Sequence, residues 1–155
     1  MTDPILATWQ THCLHTQTFI GGIPVEGLAI KLGRGRTAGA MLAHLHNNRL
    51  AWLEPAAPDL AKNLSKIPKD QTEDKDLLLT SLAESGQGLE VLLTRSLSTA
   101  GSTPVKVKAF GGSPVAFMAY LIAHEFYHFG EVGILLSEAG IKLDNRIAYG
   151  IWEWK

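Results

Sequence analysis

The chain has 155 residues, 46% of them hydrophobic and 19% charged, with a formal net charge of −1. A chain of this length buries roughly 68–70% of its unfolded surface, enough for a sizeable core without disulfides. The near-neutral balance offers no basic stripe for nucleic acid, and the longest apolar run, Val115–Ala123, falls well short of the ~20 residues that span a bilayer.

Cys13 is the sole cysteine, so no internal disulfide forms, in keeping with a reducing cytoplasm. The opening Met1-Thr2-Asp3-Pro4 has neither the basic nor the apolar region of a signal peptide. A soluble, cytoplasmic, single domain over residues 1–155 is expected, with no membrane and no nucleic acid among its partners.

Asp3-Pro4 is a good N-cap and first-turn pair for a helix over 4–20, which carries a loose stripe of Ile5, Trp9, Cys13 and Ile20 and ends at Gly21-Gly22. A second helix is predicted over 37–53, from Thr37 to a stop at Glu54-Pro55. A connection rich in Pro, Lys and Asn follows to Lys69. Asp70 and Glu73 then make a capping-box-like pair for a third helix over 71–98, with Leu78, Leu82, Leu89 and Leu92 at near-helical spacing. Gly86 and Gly88 weaken that helix by roughly 1 kcal/mol each relative to alanine.

A linker, Gly101–Pro104, precedes Val105-Lys106-Val107-Lys108, whose alternation reads as a short extended piece. The fourth helix, 114–139, is the clearest: Ser113 caps it, Pro114 opens it and Gly140 lies just past its end. It is apolar on most sides, which suits the inside of a bundle. A short C-terminal piece, up to one extra helix, carries Trp152 and Trp154. The fold class predicted is all-α, a four-helix bundle.

The chemistry centres on His124-Glu125-Phe126-Tyr127-His128. Histidines four apart on a helix share a face, about 6 Å apart along the axis, where one divalent ion can accept both imidazoles. With His124 at 0° on a helical wheel, His128 lies at about 40°, Leu135 about 20°, Leu121 about 60° and Glu131 about −20°. Both histidines therefore look toward the core, where an imidazole without a partner carries a desolvation cost that a metal or a hydrogen bond removes. On the second helix His44 and His46 lie about 160° apart and straddle the stripe of Met41, Leu42, Leu45, Trp52 and Leu53, so the wheel does not choose between them. His12 and His15 sit among Thr11, Thr16 and Gln17 and read as solvated or capping side chains.

The same five residues fit H-E-x-x-H, the zinc-peptidase helix in which the glutamate, here Glu125, is general base. That reading needs a third ligand downstream and a β-sheet edge to align a peptide. Only Glu131, Glu138, Asp144 and Glu153 supply carboxylates after His128, and no strand flanks the motif.

Ala40-Met41-Leu42-Ala43-His44-Leu45, closing with Trp52, resembles the second helix of the DinB/YfiT-like proteins. Ser113–Gly140, with His124-Glu125-Phe126-Tyr127-His128-Phe129-Gly130-Glu131-Val132 and Leu135-Leu136-Ser137-Glu138-Ala139-Gly140, resembles their last bundle helix. The resemblance covers about half the chain, in the right order and spacing. It implies a four-helix bundle in which one histidine of the second helix and an H-x-x-x-H pair of the fourth hold a divalent metal: here His44, His124 and His128. It selects His44 over His46, because the family's ligand follows an apolar pair such as Leu-Ala. The chain departs from the family's His-Arg-Gly-Gln, having His128-Phe129-Gly130-Glu131, so a basic residue is gone and a glutamate stands for glutamine.

Three neutral imidazoles leave a coordination position open, the layout of a reactive site. Zinc, nickel or iron fits the ligand set. Relatives that are thiol-dependent transferases and isomerases imply a transferase or isomerase using a low-molecular-weight thiol on a small-molecule substrate; a homodimer is a further expectation, which neither the spacing nor the resemblance fixes. A metal-dependent hydrolase and a non-enzymatic, stress-related metal-binding protein are the alternatives. Glu131, about one turn beyond His128, is the candidate catalytic residue: a fourth ligand, an acceptor for a ligand's other ring N–H, or a general base.

Overall fold

The computed structural model describes residues 3–98 and 108–154. Among them there is no strand; six α-helices and three 3-10 turns account for the regular structure. The four long helices are α1 (Pro4–Gly22), α2 (Ala38–Ala56), α4 (Lys75–Ser98) and α5 (Pro114–Glu138), with α3 (Pro58–Ala61) and α6 (Asn145–Gly150) as short additions. The four-helix bundle and the extra C-terminal helix are as the sequence predicts. No helix of the described residues is long and apolar enough to cross a membrane.

The caps explain the starts. Asp3 Oδ1 accepts from Ile5 N at 2.8 Å, Thr37 Oγ1 from Ala40 N at 3.1 Å and Ser113 Oγ from Ala116 N at 3.2 Å. Each satisfies an amide that has no partner within its helix. Gly140, with φ of 75°, ends α5 in the left-handed conformation that glycine adopts without strain.

Three boundaries differ from expectation, the first being that α1 runs on through Gly21-Gly22 to an Ile23 cap. The third long helix begins at Lys75, not 71, because Asp74, rather than the Asp70–Glu73 pair, caps it: Asp74 Oδ1 accepts from Leu77 N at 2.9 Å. Residues Lys69–Gln71 form a 3-10 turn instead. The second helix runs through Pro55 to Ala56. A proline in a final turn forfeits one hydrogen bond but does not have to end the helix there. The predicted linker 101–104 and the extended residues 105–107 lie outside the described residues, and Lys108 opens a 3-10 turn.

Two apolar clusters make up the core. One gathers Phe19 and Ile20 of α1, Leu42 and Leu45 of α2, Leu78 and Leu82 of α4, and Phe129 and Val132 of α5. The other gathers Trp9, Leu53, Leu89, Phe117 and Leu121 of the same four helices. Between the two, each long helix contributes polar groups at one level: His12, Arg49, Ser85 and Glu125, all 0% exposed.

Arg49 donates from Nε to Glu125 Oε1 and from Nη2 to Oε2, both at 2.7 Å, and from Nη1 to the Leu82 carbonyl at 2.8 Å. Its guanidinium lies 5.2 Å from the centroid of the Trp9 ring. His12 Nε2 donates to Glu125 Oε2 at 2.7 Å. Buried charges survive only when paired and hydrogen-bonded, and these bonds join α1, α2, α4 and α5 at mid-height.

His12 and His15 therefore are not solvated, contrary to the sequence reading. His15 is 6% exposed and packs edge-on against Trp154, ring centroids 5.2 Å apart. The polar neighbours misled because they are satisfied internally. Thr16 is itself fully buried and donates to the His12 carbonyl at 3.0 Å, while Gln17 Nε2 donates to the Leu79 carbonyl at 3.1 Å.

Candidate metal centre

His44 lies about two turns into α2, and His124 and His128 lie one turn apart in the middle of α5. Packing of α2 on α5 brings the three rings together. Ring centroids are 5.3 Å apart for His44–His124, 5.1 Å for His44–His128 and 4.8 Å for His124–His128. The rings meet edge-on, at interplanar angles of 71°, 83° and 87°. One nitrogen from each lies within 4.8 Å of the other two, so the three could hold a metal ion. All three side chains are half-buried, which leaves the cluster reachable from solvent.

Two polar neighbours orient the rings. A carboxylate can only accept, so His128 Nδ1 donates to Glu131 Oε2, 2.6 Å away, and its Nε2 is left as the lone-pair nitrogen. Asn48 Nδ2 lies 3.4 Å from His124 Nδ1. Tyr120 stacks on His124 with its centroid 5.7 Å away and its plane tilted 16°. Burial, and then the neighbouring histidines, push the His44 and His124 pKa values below the ordinary imidazole range. Arg36 adds to this effect at His44. Both factors favour the neutral imidazole, the form that binds metal.

His46 is placed elsewhere. Fully buried, it takes Ser85 Oγ at 3.1 Å and the Ser65 carbonyl at 2.9 Å. Glu125, central to the H-E-x-x-H reading, points into the polar layer, where both its oxygens are engaged by Arg49 and His12. Burial works to raise its pKa, but the Arg49 charge and hydrogen bonds, aided by His12, outweigh burial and hold it at about 2. A carboxylate so held is a poor base, and with no strand among the described residues to align a peptide the zinc-peptidase geometry is not met.

Arg49 and Asn48 were not singled out from the sequence, yet a signal for Arg49 was there. Leu45, Arg49 and Leu53 are successive i, i+4 positions on the buried stripe of α2, as Leu121, Glu125 and Phe129 are on α5. A charge at such a position requires a partner of opposite sign on a facing helix.

The model of the DinB family matches this chain over residues 1–145, a span that includes all three histidines. Neither the curated proteins nor the solved structures give a match.

Proposed function

The chain belongs to the DinB family, and on that footing we propose that His44, His124 and His128 hold one divalent metal for a transferase reaction of a small-molecule thiol. The observation that carries this reading is the convergence of three imidazole nitrogens within 4.8 Å of one another. The donor set suits zinc, nickel or iron. An ion bound there supplies Lewis acidity that lowers the pKa of a coordinating thiol, making thiolate available at neutral pH.

The remaining work falls to the chain. Glu131 fixes the His128 tautomer through Oε2 and keeps Oε1 as an acceptor for the thiol proton. Tyr120 holds the His124 ring by stacking. The thiolate sulfur attacks an electrophilic carbon; a C–S bond forms as the leaving group departs with the electrons of its own bond to that carbon.

The test has two stages. Protein purified without a histidine tag is analysed for bound metal, one per chain being expected. The loaded protein is then offered a chloronitroarene electrophile with and without thiols. Thiol-dependent consumption supports the transferase. Turnover of an ester without thiol would favour a hydrolase, and tight metal binding without turnover of either would leave a metal-binding protein.

A further inference from the structure

His44 opens onto a cavity of about 610 Å³ bounded by the loop before α2, the start of α2 and the segment near residues 67–73. Its wall carries three cations, Lys31, Arg36 and Lys69, against one carboxylate, Glu73. In a chain with a net charge of −1 this is a local excess of positive charge. None of the three cations has an ion-pair or side-chain hydrogen-bond partner among the described residues. Lys75, by comparison, donates to the Gly21 and Ile23 carbonyls, and Arg49 is bound to Glu125, whereas Arg34, Lys62, Lys66, Lys142 and Arg146 resemble the cavity cations in lacking such a partner among the described residues.

The wall is held in place. Asn47 donates to the Ile67 carbonyl at 3.1 Å and accepts from Ile67 N at 2.9 Å, which fixes the strand of chain leading to Lys69. Ala38 N donates to the Ile30 carbonyl at 2.9 Å and closes the loop that bears Lys31 and Arg36. Thr37 and Ala40 also line the cavity, so the positive end of the α2 dipole faces the same space.

Uncommitted lysine and arginine side chains around a helix N-terminus are suited to oxyanions, carboxylate or phosphate, which both recognise through charge-assisted hydrogen bonds. Against one carboxylate, the three cations favour an anion over a cation in this space. We propose that this cavity holds the small-molecule thiol and that the thiol is anionic, its carboxylate or phosphate on Lys31, Arg36 and Lys69 and its sulfur toward His44. The sulfur end rests on the metal-dependent transferase reading; the anionic end rests on the cavity alone.

The experiment separates the two. Metal-loaded protein is titrated calorimetrically with mercaptosuccinate and with 2-mercaptoethanol, and metal-free protein with succinate and with inorganic phosphate. Mercaptosuccinate is expected to bind at least about tenfold tighter than 2-mercaptoethanol, a difference that charge-assisted bonds readily supply. Arg36→Ala/Lys69→Ala, at two exposed sites, should keep the wild-type circular dichroism, erase that preference and leave 2-mercaptoethanol binding unchanged. The tighter of succinate and phosphate on metal-free protein identifies the oxyanion. Equal affinity for the two thiols, or a preference that survives the double substitution, overturns the proposal. Arg36-dependent anion binding by a protein that takes no metal would keep the anion site and sink the metal reading.

Discussion

Arg49 and Glu125 meet through two hydrogen bonds of 2.7 Å, Nε to Oε1 and Nη2 to Oε2, with both side chains 0% exposed. Breaking one side of such a pair strands the other charge in the core. Arg49→Met should therefore cost about 3–5 kcal/mol of unfolding free energy, while Arg49→Met/Glu125→Leu should recover much of it. Urea unfolding of the three proteins checks this. A single substitution costing under about 1 kcal/mol would mean the pair is not the buried, desolvated one described.

The same pair sets an acid limit. Glu125 titrates at about 2 in the folded protein against an ordinary 4.5, so the unfolded state binds the proton more readily. Its contribution is complete above about pH 4.5 and is lost as pH falls toward about 2. Stability of the wild type should decline across that window, and Glu125→Gln, which cannot titrate, should show a flatter curve there. Parallel slopes in the two proteins would show that other carboxylates govern acid unfolding.

His44 and His46, two residues apart, should separate cleanly when replaced. His44→Ala is expected to lose bound metal with little loss of stability, since the side chain is half-buried and its ring partners are the other two histidines. His46→Ala should keep the metal but lose about 1–3 kcal/mol, because Ser85 and the Ser65 carbonyl are left without their buried partner. Metal content and thermal unfolding of both variants decide it; a reversal of the two outcomes would exchange their roles.

Much of this was legible in the sequence where the signal is local. Asp3, Thr37 and Ser113 bond the amides that their cap positions require, and the i, i+4 spacing of His124 and His128 fixes one face of a helix whatever packs against it. What was not legible depends on pairing between distant segments. Wheel geometry alone left His44 and His46 open, because the stripe lies between them; only the resemblance chose. His12 and Glu125 are 113 residues apart, and no periodicity reports that one satisfies the other. Lys31, Arg36 and Lys69 line one cavity because an Asn47–Ile67 bracket folds the segment before Lys69 onto α2 and an Ala38–Ile30 bond closes the loop bearing the other two, which no spacing encodes.

Glu131 was expected as fourth ligand, acceptor or base, and its 2.6 Å contact with His128 Nδ1 favours the last two over direct ligation. Glu131→Gln tells them apart. If its main work is holding the ring, metal affinity or activity should fall by about 10–100-fold. If it also takes the thiol proton, turnover should drop by roughly 10²–10⁴-fold with metal affinity near normal. Metal titration and thiol-transfer rates on the same preparation give both numbers, and no change in either removes Glu131 from the mechanism.

Gly39 and Gly130 both lie inside helices, where alanine is ordinarily favoured by up to about 1 kcal/mol. Their surroundings differ. A Cβ on Gly130 meets nothing within 4 Å, so Gly130→Ala should stabilise α5 and, through it, the backbone carrying His128. A Cβ on Gly39 would run into the Thr72 carbonyl oxygen and lie 3.2 Å from that of Leu28. Backbone cannot swing aside as a side-chain tip can, so α2 would have to part from the segment that walls the cavity beside His44. Gly39→Ala should therefore destabilise the protein by about 1–3 kcal/mol despite the gain in helix propensity. It should also weaken succinate or phosphate binding, if that cavity is an anion site. Thermal unfolding of the two variants provides the check: equal shifts in both would mean that Thr72 does not press on α2 as closely as the contact distance requires.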